Sequence, residues 1–164
     1  MQKEDFEFGA AVNYTAFFNC VKYARLVMKA QLEADPAWMG DIITVNSKAG
    51  LVGSNKDFAD AGGKFGAIGL TQSFAMELAR DNIQVNTILP GPIETKMLNS
   101  HWFHLTPEEA AKEREKLCAH LPTCRIGRPD EIAGAAIYLA SEASSYTSGT
   151  EIIVDGALLL GTHL

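Results

Sequence analysis

Apolar side chains recur through residues 5–33 in steps of three and four, at Phe6, Ala10, Tyr14, Phe17, Phe18, Val21, Ala24 and Val27. That is the period of a helix with one buried stripe, and it predicts a single long helix. Asp35-Pro36 closes it, because the residue before a proline is driven out of the helical region. The next run, Asp41-Ile42-Ile43-Thr44-Val45-Asn46, is short, β-branched and continuous, which is the pattern of a buried strand. After a loop at Gly50, Gly53 and Asp57, a second helical pattern covers 58–79 through Phe65, Ile68, Leu70, Phe74, Met76 and Leu78. Its first half is crowded with Ala61, Gly62, Gly63, Gly66, Ala67 and Gly69. Each glycine costs a solvent-facing helix about 1 kcal/mol relative to alanine. Such a run makes sense where another backbone or a ligand comes close.

The second half repeats the alternation. Ile83 to Leu89 is a strand ended by Pro90-Gly91-Pro92, and 94–122 is polar and helical in tendency, with a helix start at Pro107-Glu108-Glu109. Arg128-Pro129-Asp130-Glu131 opens a further helix through Ala140, with proline and acids in its first turn. Thr150 to Val154 is a last strand, turned out by Asp155-Gly156. Helix and strand in alternation predict an α/β fold, with parallel strands joined by right-handed helical crossovers. No internal repeat or linker breaks residues 1–164, which predicts a single domain.

Composition narrows the function. A hydrophobic share of 47% and a charged share of 21% are those of a soluble globular chain. A net charge of -6 with scattered lysines and arginines argues against nucleic acid, which wants clustered cations. The apolar runs fall short of the roughly 20 residues that span a bilayer, and the opening MQKEDFEFG lacks the apolar core of a signal peptide. Cys20, Cys118 and Cys124 are an odd count at unrelated positions, which predicts free thiols and a cytoplasmic location. Cys118, His120 and Cys124 lack the spacing and fourth ligand of a zinc site, so no metal is expected.

In open parallel sheets ligands bind past the carboxyl ends of the strands. Ser47, the stretch Pro90 to Thr95, and Asp155-Gly156 fall there, and Lys64 sits in the small-residue start of the second helix. These residues belong to longer motifs: Asn46-Ser47-Lys48-Ala49-Gly50, Lys64-Phe65-Gly66-Ala67-Ile68-Gly69-Leu70-Thr71, Pro90-Gly91-Pro92-Ile93-Glu94-Thr95, and Gly127-Arg128-Pro129-Asp130-Glu131. With Ser148-Gly149 and Val154-Asp155-Gly156 they resemble, in order and spacing, the short-chain dehydrogenase/reductase family, from about Phe6 to Leu158. The resemblance implies a three-layer Rossmann-like parallel sheet with flanking helices, lacking the family's N-terminal half, and NAD or NADP as cofactor. It also implies a small-molecule alcohol or ketone as substrate, and a homo-oligomer built through helices 5–33 and 58–80. Phe17, Phe18, Phe65 and Phe74 divide between that interface and the core. The wording is most similar to the sorbitol-phosphate dehydrogenase branch, which points to a sugar alcohol or its phosphate. Lys96, Lys112, Arg114 and Lys116 are candidates to meet a phosphate, or simply a solvated helix face.

By the same resemblance, Asn13 matches an asparagine that helps hold a water linked to the lysine. Ser47 matches the serine that hydrogen-bonds the substrate oxygen, and Lys64 the lysine that binds the cofactor ribose. Pro90, Gly91, Ile93 and Thr95 match the segment that grips the nicotinamide end. The family's catalytic tyrosine falls thirteen residues after the serine and four before the lysine, and that position holds Asp60. An aspartate titrates near 4 and is acceptor-only at neutral pH, so it cannot donate a proton to a carbonyl. An Asp60–Lys64 ion pair at i,i+4 is expected instead. The glycine-rich turn that holds the cofactor's pyrophosphate has no counterpart in residues 1–40, where only Gly9 and Gly40 occur. Three readings follow: an impaired oxidoreductase, a non-catalytic binding or assembly module, and a truncated gene product.

Overall fold

The computed structural model describes residues 1–55 and 57–161. Three strands, β1 (Gly40–Val45), β2 (Ile83–Pro90) and β3 (Glu151–Val154), form one sheet in the order β1-β2-β3. All pairs are parallel, with Ile42 opposite Val85 and Ile88 opposite Ile152. This is the parallel α/β arrangement expected from the alternation of patterns, with the flanking helices that the resemblance implies.

One helical rod precedes β1. It comprises α1 (Lys3–Ala10), a wider π turn at Ala11–Thr15, and α2 (Ala16–Ala34). The amide of Ala16 donates to the Ala11 carbonyl, five residues back, where an α-helix would reach only four. Periodicity predicted one uninterrupted helix, because a single widened turn barely disturbs the apolar spacing. The rod packs on α3 (Phe58–Leu78), which Asp57 caps by accepting from the Asp60 amide at 3.0 Å.

Between rod, α3 and sheet lies a core of Val21, Phe74, Ala75, Leu78, Ile83 and Val85. Phe74 is buried and meets Phe17 edge-on at 6.2 Å between ring centroids, whereas Phe18 and Phe65 are more than two-fifths exposed. Two of the glycines at the start of α3, Gly63 and Gly66, have their explanation here. A Cβ on Gly63 would stand 2.7 Å from the Asn13 Cβ, and one on Gly66 would stand 2.7 Å from the Tyr14 ring. The close partner is thus the chain's own N-terminal rod.

β2 is central and buried over seven of its eight residues. Its polar Asn86 is satisfied: the side-chain amide donates to the Thr147 carbonyl at 2.7 Å, and its oxygen accepts from the Thr150 amide at 3.1 Å. Past β2 the chain makes an excursion through α4 (Lys96–Ser100) and α5 (Pro107–Ala119). A bridge between Ile93 and Gly127 closes its neck, and α6 (Pro129–Leu139) follows, with α7 (Leu158–Gly161) after β3. Among the described residues no helix is long and apolar enough to cross a membrane.

Candidate active site

A cleft of about 650 Å³ opens at the carboxyl ends of β1 and β2, the place where open parallel sheets bind ligands. Asn13, Ser47, Asp60, Lys64, Pro90, Gly91, Ile93 and Thr95 all line it. Four separate elements therefore bring together the eight residues matched to the family's site, while Asp155 and Gly156 line a separate, smaller pocket.

Ser47 follows β1 with extended backbone and starts a short 3₁₀ turn. Its Oγ accepts from the Ala49 amide at 3.1 Å, which leaves the hydroxyl proton free to donate into the cleft. Lys64 projects from the second turn of α3. Its backbone carbonyl accepts from Asn46 Nδ2 at 3.1 Å, tying the helix to the end of β1. Gly50 allows that approach, since a Cβ there would lie 3.0 Å from the same carbonyl. Among the described residues the Lys64 ammonium has neither an ion pair nor a hydrogen bond, so its charge is available to a ligand.

Asp60 does not pair with Lys64. Its Oδ1 accepts from Asn13 Nδ2 at 3.2 Å, across from the π turn of the rod. The expected i,i+4 pair competes with a neutral donor that the close rod–α3 contact already holds in place, and exposed pairs of that kind contribute only about 0.3–0.5 kcal/mol. In the first turn of α3 the carboxylate also faces the positive end of the helix dipole. Asp60 thus has a local structural role and remains an acceptor.

Pro90 ends β2, and the Gly91 amide donates to the Val154 carbonyl at 3.0 Å. A side chain at Gly91 would collide with the Asp155 backbone at 2.7 Å, so glycine lets the turn cross the end of β3. Thr95 caps α4 by accepting from the Leu98 amide at 3.2 Å. Glu94 pairs with Arg114 on α5, while Asn99 donates to it at 3.0 Å. These hydrogen bonds hold the Glu94 carboxyl below its ordinary range and fasten the excursion to the cleft rim. Of the cations noted in 94–122, Arg114 is therefore committed to Glu94, and Lys116 pairs with Glu113 at 2.6 Å.

Two further residues belong to the site. Asn46 is buried at 8% exposure, lines the cleft, and presents an Oδ1 with no partner. His101, at the end of α4, also lines it. Asn46 precedes Ser47 in the Asn46-Ser47-Lys48-Ala49-Gly50 motif, but nothing in sequence marks one strand-end amide as orphaned. His101 lies in a polar stretch without a motif. Among the described residues no group of three His, Cys, Asp or Glu side chains converges.

A parallel α/β sheet with a mixed polar and apolar cleft past its strand ends places the chain among the open α/β folds that bind ligands there. The family model described as enoyl-(acyl carrier protein) reductase matches residues 1–158, and the chain belongs to the short-chain dehydrogenase/reductase family. It is 36% identical over 160 residues to the 3-oxoacyl-acyl-carrier-protein reductase FabG of Thermotoga maritima, covering 98% of this chain and 59% of that one. It is 36% identical over 156 residues to a 3alpha-hydroxysteroid dehydrogenase of Mediterraneibacter gnavus, covering 95% of this chain and 57% of the relative. A gluconate 5-dehydrogenase from Burkholderia cenocepacia, solved with NADP and tartrate, superposes with a TM-score of 0.84 at 30% identity. That match covers 98% of this chain and 58% of the other. The chain thus spans less than two thirds of the relatives it matches.

Proposed function

We propose that the cleft is the substrate and nicotinamide side of an NAD(P)-dependent alcohol–ketone oxidoreductase, and that Asp60 leaves this chain with weak turnover or none. The observation that carries the reading is the convergence of Asn13, Ser47, Asp60 and Lys64 on one cleft with the turn from Pro90 to Thr95. The residues present fit the nicotinamide end of the cofactor: Asn46 Oδ1 is an unpartnered acceptor on the wall, and Lys64 is an uncommitted cation beside it. They do not fit the adenosine end, because no glycine-rich turn at a helix start lies among the described residues. When bound, the cofactor supplies or accepts hydride. Ser47 donates a hydrogen bond from its free hydroxyl to the substrate oxygen, and Lys64 holds hydroxyl groups near it. Asp60 accepts a hydroxyl proton in a hydrogen bond but has none to give, so carbonyl reduction lacks its proton source.

The substrate class is a secondary alcohol or the matching ketone. A sugar alcohol fits an acceptor carboxylate and an amide at the reacting end, because both take hydrogen bonds from hydroxyls. Phe18 and Phe65, exposed on the rod and α3, are the residues through which helices 5–33 and 58–80 would build a homo-oligomer. The test is Asp60→Tyr in this chain, assayed beside the unchanged chain with the glycine-rich dinucleotide-binding half of a relative supplied. Turnover of reduced nicotinamide with sugar ketones should rise by about 10²-fold or more, the scale of a positioned general acid. Equal, negligible rates in both would count against the oxidoreductase reading and favour a non-catalytic binding module.

A further inference from the structure

Asp60 leaves the cleft without a proton donor at its position, yet the lining includes a side chain of the type that gives and takes protons near neutral pH, His101. Its place follows from α4. Thr95 caps that helix, and His101 falls four residues after Met97 and three after Leu98, so the three share a face and all line the cleft. His101 ends the helix with helical backbone, φ -62° and ψ -21°, and its amide donates to the Leu98 carbonyl at 3.2 Å. The pair between Glu94 and Arg114 and the hydrogen bond from Asn99 fasten the same segment. The imidazole is thus set in the cleft by its own turn of chain and not by a side-chain partner.

The ring is also uncommitted. Among the described residues neither of its nitrogens has a hydrogen bond or an ion pair. His120 differs, with Nδ1 held 2.7 Å from the Lys116 carbonyl, and neither His104 nor His120 lines the cleft. The charged groups that share the cleft with His101 are Asp60 and Lys64, both on α3. Lysine ordinarily gives up its proton at about 10.4 and aspartate at about 3.9, whereas histidine does so at about 6.5. A general acid works best when that value lies near the operating pH, which favours imidazole over both.

We propose that His101 is the proton donor of this cleft and carries the residual turnover of the chain, a role that rests on the oxidoreductase reading above. In ketone reduction the carbonyl carbon takes a hydride from reduced nicotinamide and forms its new C–H bond. The carbonyl π pair moves to oxygen, which takes the His101 N–H proton directly or across one water. The ring is left as neutral imidazole and regains its proton from solvent, to which it is exposed. In the reverse direction neutral His101 accepts the hydroxyl proton while the alcohol carbon gives its hydride to oxidised nicotinamide. Ser47 keeps its part as the hydrogen-bond donor that orients the oxygen.

The test uses the whole chain with reduced nicotinamide mononucleotide as hydride source and dihydroxyacetone as ketone, giving glycerol and oxidised mononucleotide. His101→Gln should slow turnover at least about tenfold, and added imidazole should restore it. In Asp60→Tyr, where a phenol can supply the proton, the same His101→Gln change should cost less than about threefold, because two donors then serve one step. Independently of turnover, dihydroxyacetone should shift the ring nitrogen resonances of His101 and leave those of His104 and His120 in place. Turnover indifferent to His101→Gln, a loss that imidazole does not rescue, or an equal loss in Asp60→Tyr overturns the proposal. So does an unchanged His101 ring signal, or no turnover by the unaltered chain. In each of those cases, movement of the Asn46 and Ser47 amides by dihydroxyacetone would leave the substrate reading of the cleft standing, and no movement would remove that reading too.

Discussion

Adding one methyl group to α3 should have opposite effects at adjacent positions. At Gly63 a Cβ would stand 2.7 Å from the Asn13 Cβ, with the Asn13 Cα 3.8 Å away. Carbon atoms in contact sit about 3.5–4.0 Å apart, so rod and helix must separate by about 1 Å. Overpacking of that kind costs about 1–3 kcal/mol, against which the helix gains about 1 kcal/mol from replacing glycine. Gly63→Ala should therefore be destabilised by up to about 2 kcal/mol. At Gly62 and Gly69 a Cβ meets nothing within 4 Å, so only the helical gain remains and both alanine variants should be stabilised by about 0.5–1 kcal/mol. Urea unfolding followed by far-ultraviolet circular dichroism measures this as midpoint shifts at constant slope. The separation would also pull Asn13 from Asp60, which amide proton shifts at Asn13 would register. A Gly63→Ala protein as stable as Gly62→Ala would refute the claim that close contact between rod and α3 shapes this end of the site.

Other consequences are equally direct. Arg114→Ala removes the partner of Glu94 that ties α5 to the cleft rim, and amide exchange through 96–119 should quicken by about tenfold while the sheet is unaffected. Glu131 is held down to about 2 by a bidentate pair with Arg125 and by the Arg128 amide, at the start of α6. A carboxyl lowered in the fold lends stability that is complete above its ordinary value of 4.5 and lost as pH falls through about 2. Glu131→Gln should accordingly flatten the thermal midpoint over that acid window and leave its slope near neutrality unchanged. Asp41 has the opposite sign: its folded value is raised by burial, so its charged form works against the fold above that value. Asp41→Asn should raise the melting temperature at neutral pH, and the gain should vanish in acid.

The sheet and its helices were legible in sequence because local signals agreed with tertiary demands. The β-branched run before Ser47 and the Pro90-Gly91 turn mark strand ends within a residue or so, and the glycine-rich start of α3 correctly implied a close approach. What approaches was not legible, since the partner lies some 50 residues away along the chain. The π turn that carries Asn13 was hidden for a different reason: one extra residue in a turn changes hydrogen bonding more than it changes apolar period. The Asp60–Lys64 pair was a fair inference from i,i+4 spacing and failed because Asn13, brought in by the fold, reaches Asp60 instead. Orphaned acceptors at Asp41, Asn46 and Gln84 are properties of burial, which residue identity alone does not convey.

The central claim, that this chain holds the nicotinamide side of a dehydrogenase site and not the adenosine side, is tested most directly by binding two ligands to it. Reduced nicotinamide mononucleotide and reduced NADP should be titrated separately, with amide shifts at Asn46, Ser47 and Gly91 as the readout. The account predicts that both move those amides with affinities within about threefold of each other, because the adenosine half gains no contacts, and that Lys64→Ala weakens both alike. Binding of reduced NADP more than about a hundredfold tighter than the mononucleotide, or no shift with either, would contradict it.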